Sequence, residues 1–579
     1  MSRGTPIRGE TVRKLSACAW SVVLTTLLTG SLGVATAAAV PPRAQDPFYS
    51  GVQPASLGPI APGTVLDTRI VPYHIAGLQI PLEAVQLSYR STGQLGQPTM
   101  NVTTVVRPIL QVRDTRKVIS YQSFYDSLNP DDEPSYAISG GKTFGGAIMG
   151  VESALVVPFL LKGYTVVIPD IEGQDANFAA GPEYGYNTLD SLRAAVASQA
   201  AGIADDARIG LFGYSGGAIG TGWAAELAPN YAPDIDQRLV GAAMGGVLVR
   251  PATNLHYIDG SQTWAGVMAM AVIGVSRSFD IDLSPYLSEY GLRIYDKLED
   301  ASIAEVLGAY PGLTWKKMAK PEYETPEMVP LYVGVANKLI MGSYGTPTTP
   351  LLIGQGAKGE LEGTQGDQPG IGAGDGVMVT GDVRAVARKW CAKGTTIEYR
   401  QFDDLSHIPT AAAWIPQGIT WLERRFTSAP APENCADIEP GNSLDPIPVK
   451  DPPAELPAEQ PAAPAAADPA AAAVTSAAST TPPPIGTKKP TCGGKTATIV
   501  GTSGRDVITG TRRADVIVAG AGADTVRGGG GNDLICGGDG NDTLAGDAGK
   551  DRLWGGFGRD GCAGGPARDR LAGCERRKP

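Results

Sequence analysis

Histidine is scarce in this chain: three residues in 579, at His74, His256 and His407. That scarcity leaves three candidates for any imidazole base. Cysteine is sparse too, seven in all, and none stands at metal-thiolate spacing. Cations are outnumbered, with 48 Lys and Arg against 59 Asp and Glu and a formal charge of −11. The deficit disfavours nucleic acid as a partner. After the first 40 or so residues no stretch is long and apolar enough to span a bilayer.

What is present begins with a removable-looking start. Arg3, Arg8, Arg13 and Lys14 precede a mostly apolar run over residues 15–34, and Ala35-Thr36-Ala37-Ala38-Ala39 offers small-residue cleavage sites. Residues 1–39 therefore read as a signal peptide, and the mature chain as a secreted, soluble, extracellular protein. Six cysteines then remain, and an even count in an exported chain argues for disulfides. Two lie before a Pro/Ala-rich stretch and four after it. The expected pairs are Cys391 with Cys435 and, as the preferred of three arrangements, Cys492 with Cys536 and Cys562 with Cys574.

The chain after the signal falls into three parts. Residues 40–436 carry strand and helix patterns, 437–490 are rich in Pro and Ala and unable to bury a core, and 491–579 are repetitive. Residues 40–60 read as an extended arm. Alternating runs over 84–90 and 100–107 predict antiparallel strands leading into a sheet. From residue 117 the rhythm becomes strand, helix, strand, with near-continuous apolar strands at 163–170 and 239–249, as expected of a parallel sheet covered on both faces. A helix is expected over 188–197, capped by Thr188. Between about 250 and 347 helical patterns replace the alternation. One of them, residues 264–273, is apolar nearly all round and reads either as a buried core helix or as a lid helix facing a greasy substrate. Strand patterns resume at 349–354 and 396–402, with helices expected over 380–392 and from Pro416 to Phe426.

The chemistry centres on Gly213-Tyr214-Ser215-Gly216-Gly217, a G-x-S-x-G pattern between a predicted buried strand (208–212) and a predicted helix (218–227). A Ser forced into a tight strand-to-helix turn needs Gly on both sides, because strand and helix crowd any side chain there. That makes Ser215 the candidate nucleophile and the N–H of Gly216 one candidate oxyanion donor. The second donor is expected from the loop after the 117–124 strand, where the chain reads Tyr125-Asp126-Ser127. His407, just past the 396–402 strand, is the candidate base, giving the order Ser, acid, His of the α/β hydrolases. His74 reads as structural, and His256 as a residue able to line the pocket. The acid is open among Asp367, Asp375 and Asp382, with Asp375 favoured and Asp367 next. Asp382 is explained by a helix first turn. Asp403 and Asp404 stand beside the His in sequence.

From Gly501 a nine-residue repeat sets an Asp at 506, 515, 524, 533, 542, 551, 560 and 569, each followed two residues later by a mostly large apolar side chain. This is the G-G-x-G-x-D-x-U-x pattern of a parallel β-roll. Stacked carboxylates on successive turns repel one another unless a divalent cation lies between them, and an oxygen-only donor set favours Ca²⁺. Asp524, Asp533, Asp542, Asp551 and Asp560 are the candidate ligands. The copies at 510–518 and 564–572 carry Arg513 and Ala567 in place of a Gly and are the weaker binders.

Over residues 49–426 the chain resembles the secretory lipases of the lipase-A type found in yeasts and actinobacteria. The matching residues are Tyr121-Gln122 with Asp126-Ser127, the 163–170 strand with Glu172-Gly173, Leu189-Asp190, the Gly213–Gly217 elbow, Asp375-Gly376-Val377 and His407. The resemblance implies an α/β-hydrolase sheet with a helical lid, a Ser-Asp-His triad, an oxyanion hole from Asp126 and Gly216, and hydrolysis of acylglycerols or other carboxylic esters. The departure is a Gly-rich insertion over 357–374, ahead of the acid. The tail resembles the RTX calcium-binding repeats. The expected enzyme is a monomer acting on a lipid or ester with transient contact to a lipid interface. It uses structural Ca²⁺ and no cofactor for catalysis. An acyltransferase, a peptidase, and a calcium-dependent surface-binding protein with an inactive hydrolase domain are the alternatives.

Overall fold

The computed structural model describes residues 40–50, 56–108, 116–450 and, with breaks of one or two residues, 491–578. The expected signal peptide and most of the Pro/Ala-rich stretch lie outside the described residues. A nine-stranded sheet organises the larger part, in the order β1-β2-β3-β5-β4-β6-β7-β8-β9. The strands are β1 (Val65–Ile75), β2 (Leu78–Thr92), β3 (Pro98–Val106), β4 (Lys117–Gln122), β5 (Thr165–Pro169), β6 (Arg208–Tyr214), β7 (Leu239–Gly245), β8 (Leu351–Gly356) and β9 (Ile397–Phe402). The first three pair antiparallel, and β3 pairs antiparallel with β5. The remaining pairs, from β5 across to β9, are parallel. In β4, β5 and β8 nearly every residue is buried, which explains their apolar, non-alternating sequences.

Three local expectations are corrected. The helix expected to start at a Thr188 cap runs from Gly181 to Ala197, with Thr188 inside it. Its first turns look like loop because they hold Gly181, Pro182 and Gly185. They are helical because Trp223 packs so close that a Cβ at Gly181 would stand 2.0 Å from the indole nitrogen. Tertiary packing overrides propensity there. The arm over 40–60 is not simply extended: Arg43–Gln45 and Pro47–Ser50 make short helical turns. Asp46 pairs with Arg69 at 2.5 Å, and the Arg69 guanidinium lies over the Phe48 ring at 4.1 Å. The last helix is longer than expected, from His407 to Phe426, with Pro416 in its interior.

Helices between Pro251 and Lys338 form a cap over the carboxyl ends of the parallel strands, with an apolar core of its own that includes Met270, Ile273, Trp315 and Val329. Among the described residues no helix is long and apolar enough to cross a membrane.

The repeats form a parallel β-roll of two five-stranded sheets. Strands pair with those 18 residues on, as in Ile517 with Ile535 and Ile535 with Leu553, except at the end, where Gly561 pairs with Arg576, 15 residues on. The apolar residue of each repeat points inward, from Ile508 to Cys562, and is almost fully buried. Each such side chain contributes about 1.5–3 kcal/mol. All three expected disulfides are present: Cys391–Cys435, Cys492–Cys536 and Cys562–Cys574. The roll meets the cap through Arg552, which pairs with Asp296 at 2.7 Å, and Arg570, which pairs with Glu299 at 2.6 Å.

Candidate active site

The turn after β6 is built by exclusion. Ser215 sits at φ 53° and ψ −122°, the N-cap of the helix Gly216–Tyr231. A Cβ at Gly213 would stand 2.2 Å from the Gly217 carbonyl oxygen, one at Gly217 2.1 Å from the Gln122 carbonyl oxygen, and one at Gly216 1.7 Å from Asp126 Oδ1. Only glycine fits at these positions, and the strain at Ser215 holds its hydroxyl above the sheet.

His407 Nε2 lies 2.7 Å from Ser215 Oγ, and His407 Nδ1 lies 2.8 Å from Asp375 Oδ2. The imidazole is fixed from several sides. The Tyr214 hydroxyl donates to the His407 carbonyl at 2.6 Å, and the His407 N–H donates to the Asp375 carbonyl at 2.7 Å. The Trp264 ring meets the imidazole edge-on, 5.3 Å between centroids. The Asp375 carboxylate accepts from Gln355 Nε2 at 2.9 Å and from the N–H groups of Val377 and Met378 at 3.1 and 2.7 Å. Burial pulls the His407 imidazole down. The charge and hydrogen bond of Asp375, with Glu362 beyond, outweigh burial and leave it above its ordinary value.

The candidate acids thus separate. Asp375 meets the imidazole, whereas Asp367 is exposed on the inserted loop. Asp382 accepts from Asn442 Nδ2, and Asp403 and Asp404 are exposed. His74 Nδ1 contacts the Ile138 carbonyl at 3.0 Å, a structural role. His256 does not line the cavity as expected; its Nε2 contacts Glu327.

Asp126 lies beside Gly216 at the cavity wall with φ 34°, and its carbonyl accepts from the Ile303 N–H at 2.9 Å. Its Oδ1 has no hydrogen-bond partner among the described residues. Burial first, and Glu152 next, push its carboxyl well above the usual carboxylate range, so it carries its proton at neutral pH. Behind it, Glu152 accepts from Tyr121 Oη and Ser123 Oγ, each at 2.7 Å, and burial lifts its carboxyl to about 7. Sequence reasoning missed Gln355, Glu152, Trp264 and Glu362, because each reaches the site from an element whose sequence carries no motif.

From Ser215 a cavity runs under the cap, holding about 880 Å³ of empty space, part of it open to solvent. Ile219, Leu248, Met268, Val272, Val275 and Leu339 are among its mainly apolar lining. The helix Ala265–Ser278 does both jobs left open by its sequence: Met270 and Ile273 sit in the cap core while Val267, Ala271 and Val272 face the cavity.

In the roll, Oδ1 of each Asp from 524 to 569 accepts the backbone N–H of the Asp 18 residues earlier, as in Asp524 N–H to Asp542 Oδ1 at 2.8 Å. Among the described residues, the Oδ2 atoms of Asp524, Asp533, Asp542, Asp551 and Asp569 are buried with no hydrogen-bond partner. A Cβ at Gly537 would stand 2.4 Å from both Asp542 Oδ2 and the Gly555 carbonyl oxygen. The glycine thus keeps open a cradle lined by one carboxylate oxygen and backbone carbonyls. That oxygen-only set, with its orphaned carboxylate oxygens, fits Ca²⁺. Asp506 and Asp515 differ: their Oδ2 atoms accept from the N–H and hydroxyl of Thr502 and Thr511.

Sheet, elbow and cap define an α/β hydrolase joined to a calcium-binding roll. Residues 140–366 match the secretory lipase family, and 500–535 and 537–571 match the RTX calcium-binding nonapeptide repeat. The chain is 30% identical over 405 residues to Lipase 4 of Candida albicans, covering 68% of this chain and 84% of that one. It is 32% identical over 419 residues to Lipase A of Arthroderma benhamiae, covering 70% and 84%. Candida antarctica lipase A in its closed state superposes with a TM-score of 0.60 at 25% identity, over 72% of this chain and 93% of that one. The protein belongs to the secretory lipase family and is an ester hydrolase with a calcium-binding repeat tail.

Proposed function

We propose that the protein is a secreted serine lipase whose triad is Ser215, His407 and Asp375 and whose preferred substrates carry an extended acyl chain. The observation that carries this reading is the unbroken line from Asp375 Oδ2 through the imidazole to Ser215 Oγ, opening into an apolar cavity.

Ser215 Oγ attacks the ester carbonyl carbon while His407 Nε2 takes its proton. Asp375 holds the tautomer with the proton on Nδ1 and stabilises the imidazolium. The amides of Gly216 and Asp126 receive the oxyanion. A neutral Asp126 carboxyl matters here, since an ionised one beside the oxyanion would oppose it. The imidazolium protonates the leaving alcohol, and water, activated by the same imidazole, releases the acid from the acyl-enzyme. No step calls for a metal, so calcium belongs to the roll, where Asp524, Asp533, Asp542, Asp551 and Asp560 would hold it. The signal-like start and three disulfides support an extracellular location.

Among the described residues that line the cavity Asp126 is the only acid, so a cationic side chain finds little to pair with and an acyl chain finds hydrocarbon. The test is kcat/KM across p-nitrophenyl esters of rising chain length, with Ser215→Ala as the blank. Ala271→Trp, which fills the cavity, should lower kcat/KM for long chains about 10-fold or more while short chains stay within about threefold. Equal losses at all lengths would place the acyl chain elsewhere.

A further inference from the structure

The Gly-rich insertion over 357–374 reaches the active site with one side chain. Glu362 ends the short 3₁₀ turn Gly359–Glu362, and Gly363 follows at φ 77°. The turn is fastened at three points. The Gly359 N–H donates to the Gly374 carbonyl at 2.8 Å, the Gln262 N–H to the Gly363 carbonyl at 3.0 Å, and Thr364 Oγ1 to the Gly376 carbonyl at 2.6 Å.

From that position the half-buried carboxylate accepts two hydrogen bonds from different elements. Trp264 Nε1 donates to Oε2 at 2.9 Å, and the Ile408 backbone N–H donates to Oε1 at 2.8 Å. Trp264 is the N-cap residue of the cap helix that lines the cavity, and its ring rests against the His407 imidazole. Ile408 is the second residue of the helix that His407 begins. A Cβ on Gly376, next to the triad acid, would stand 3.0 Å from Glu362 Oε2 and 3.1 Å from Trp264 Nε1. One carboxylate therefore ties the cap, the first turn of the histidine helix and the loop after Asp375.

We infer that Glu362 is a positioning residue for catalysis, clasping Trp264 over His407 and setting the field at the imidazole. This rests on the assignment of His407 as the base. Two effects combine. The carboxylate accepts a free N–H at the start of a helix, where a negative charge is favoured. It also adds to the anionic surroundings of His407: the charged groups facing the imidazole are Asp375 and Glu362, with the protonated Asp126 carboxyl and the Tyr214 ring on its other sides. An anion there favours the imidazolium that forms during attack.

The sign of the pH effect follows. Activity requires neutral His407 in the free enzyme, so the acid limb of kcat/KM tracks the imidazole. Without the Glu362 charge the imidazole titrates lower, and the limb moves to lower pH. A purely structural role would leave it in place.

The experiment uses the full chain with calcium and compares wild type, Glu362→Gln, Glu362→Ala, Trp264→Phe and the Glu362→Ala/Trp264→Phe pair. Readouts are kcat, KM and the acid limb on a short soluble ester, and the rate of Ser215 labelling by a fluorophosphonate. Glu362→Gln, the variant closest in shape, is expected to move the limb to lower pH. Glu362→Ala is expected to lose about 10-fold in kcat with KM within twofold, as misplacement of a reacting group does. The pair should lose little more than Glu362→Ala alone, since both changes remove one contact. A wild-type limb in Glu362→Gln together with kcat within twofold in Glu362→Ala overturns the inference. Absence of labelling in wild type overturns the triad reading with it, so the two failures are distinguishable.

Discussion

Asp375→Asn is expected to lower kcat about 10³–10⁴-fold with little change in KM, whereas Asp367→Asn stays within about twofold. The asparagine keeps the size of the side chain and can keep accepting from the Val377 and Met378 N–H groups. It loses the carboxylate that holds the His407 Nδ1 proton at 2.8 Å, and its amide can turn the imidazole to the wrong tautomer. Asp367 is exposed and touches nothing in the site, so its replacement belongs with ordinary surface changes. Steady-state kinetics on one soluble ester checks both. A large loss in Asp367→Asn with an active Asp375→Asn would reverse the assignment.

Removing calcium is expected to destabilise the roll and leave the hydrolase sheet folded. The Oδ2 atoms of Asp524, Asp533, Asp542, Asp551 and Asp569 are buried without hydrogen-bond partners among the described residues, and each such orphan costs about 1–3 kcal/mol. Burial, then the neighbouring aspartates, pushes the Asp551 carboxyl up to about 6, and Asp533, Asp542 and Asp569 shift the same way. A folded-state value raised above the unfolded one means stability present in acid and lost as pH rises through the folded value. Without the cation the roll is therefore more stable in mild acid than at neutral pH. Calcium at about 1,000 times its Kd restores about 4 kcal/mol per site. In the full chain at neutral pH, a chelator should lower the roll's melting transition by about 15 °C or more. Short-ester turnover should stay within about threefold, because among the described residues the roll's ion pairs to the rest of the chain, from Arg552 and Arg570, go to the cap and not to the triad. Calorimetry with and without chelator measures this, and an unmoved transition would remove calcium from the roll.

Much of this was legible because steric demands leave marks in sequence. The Gly213–Gly217 elbow tolerates no side chain at its three glycines, and the roll repeats a nine-residue pattern because each turn has the same shape. The acid was harder for a reason of geometry. The 357–374 insertion closes on itself, Gly359 N–H to Gly374 carbonyl, so that a Cβ at Gly356 would lie 2.9 Å from the Asp375 Cβ. In space Asp375 follows β8 at once; in sequence eighteen residues intervene. The helix from Gly181 was misjudged because its glycines serve Trp223, a contact 38 to 42 residues away. Glu362 left no trace at all, since a lone Glu in a Gly-rich loop has the composition of a solvated surface.

The most direct measurement is active-site labelling. A fluorophosphonate incubated with the full chain should attach once per molecule, on the peptide that carries Ser215, with hydrolysis falling in step. Ser215→Ala should take no label and show no turnover above background. Full ester hydrolysis by Ser215→Ala, or a label on another residue that tracks the loss of activity, would contradict the assignment of Ser215 as the nucleophile.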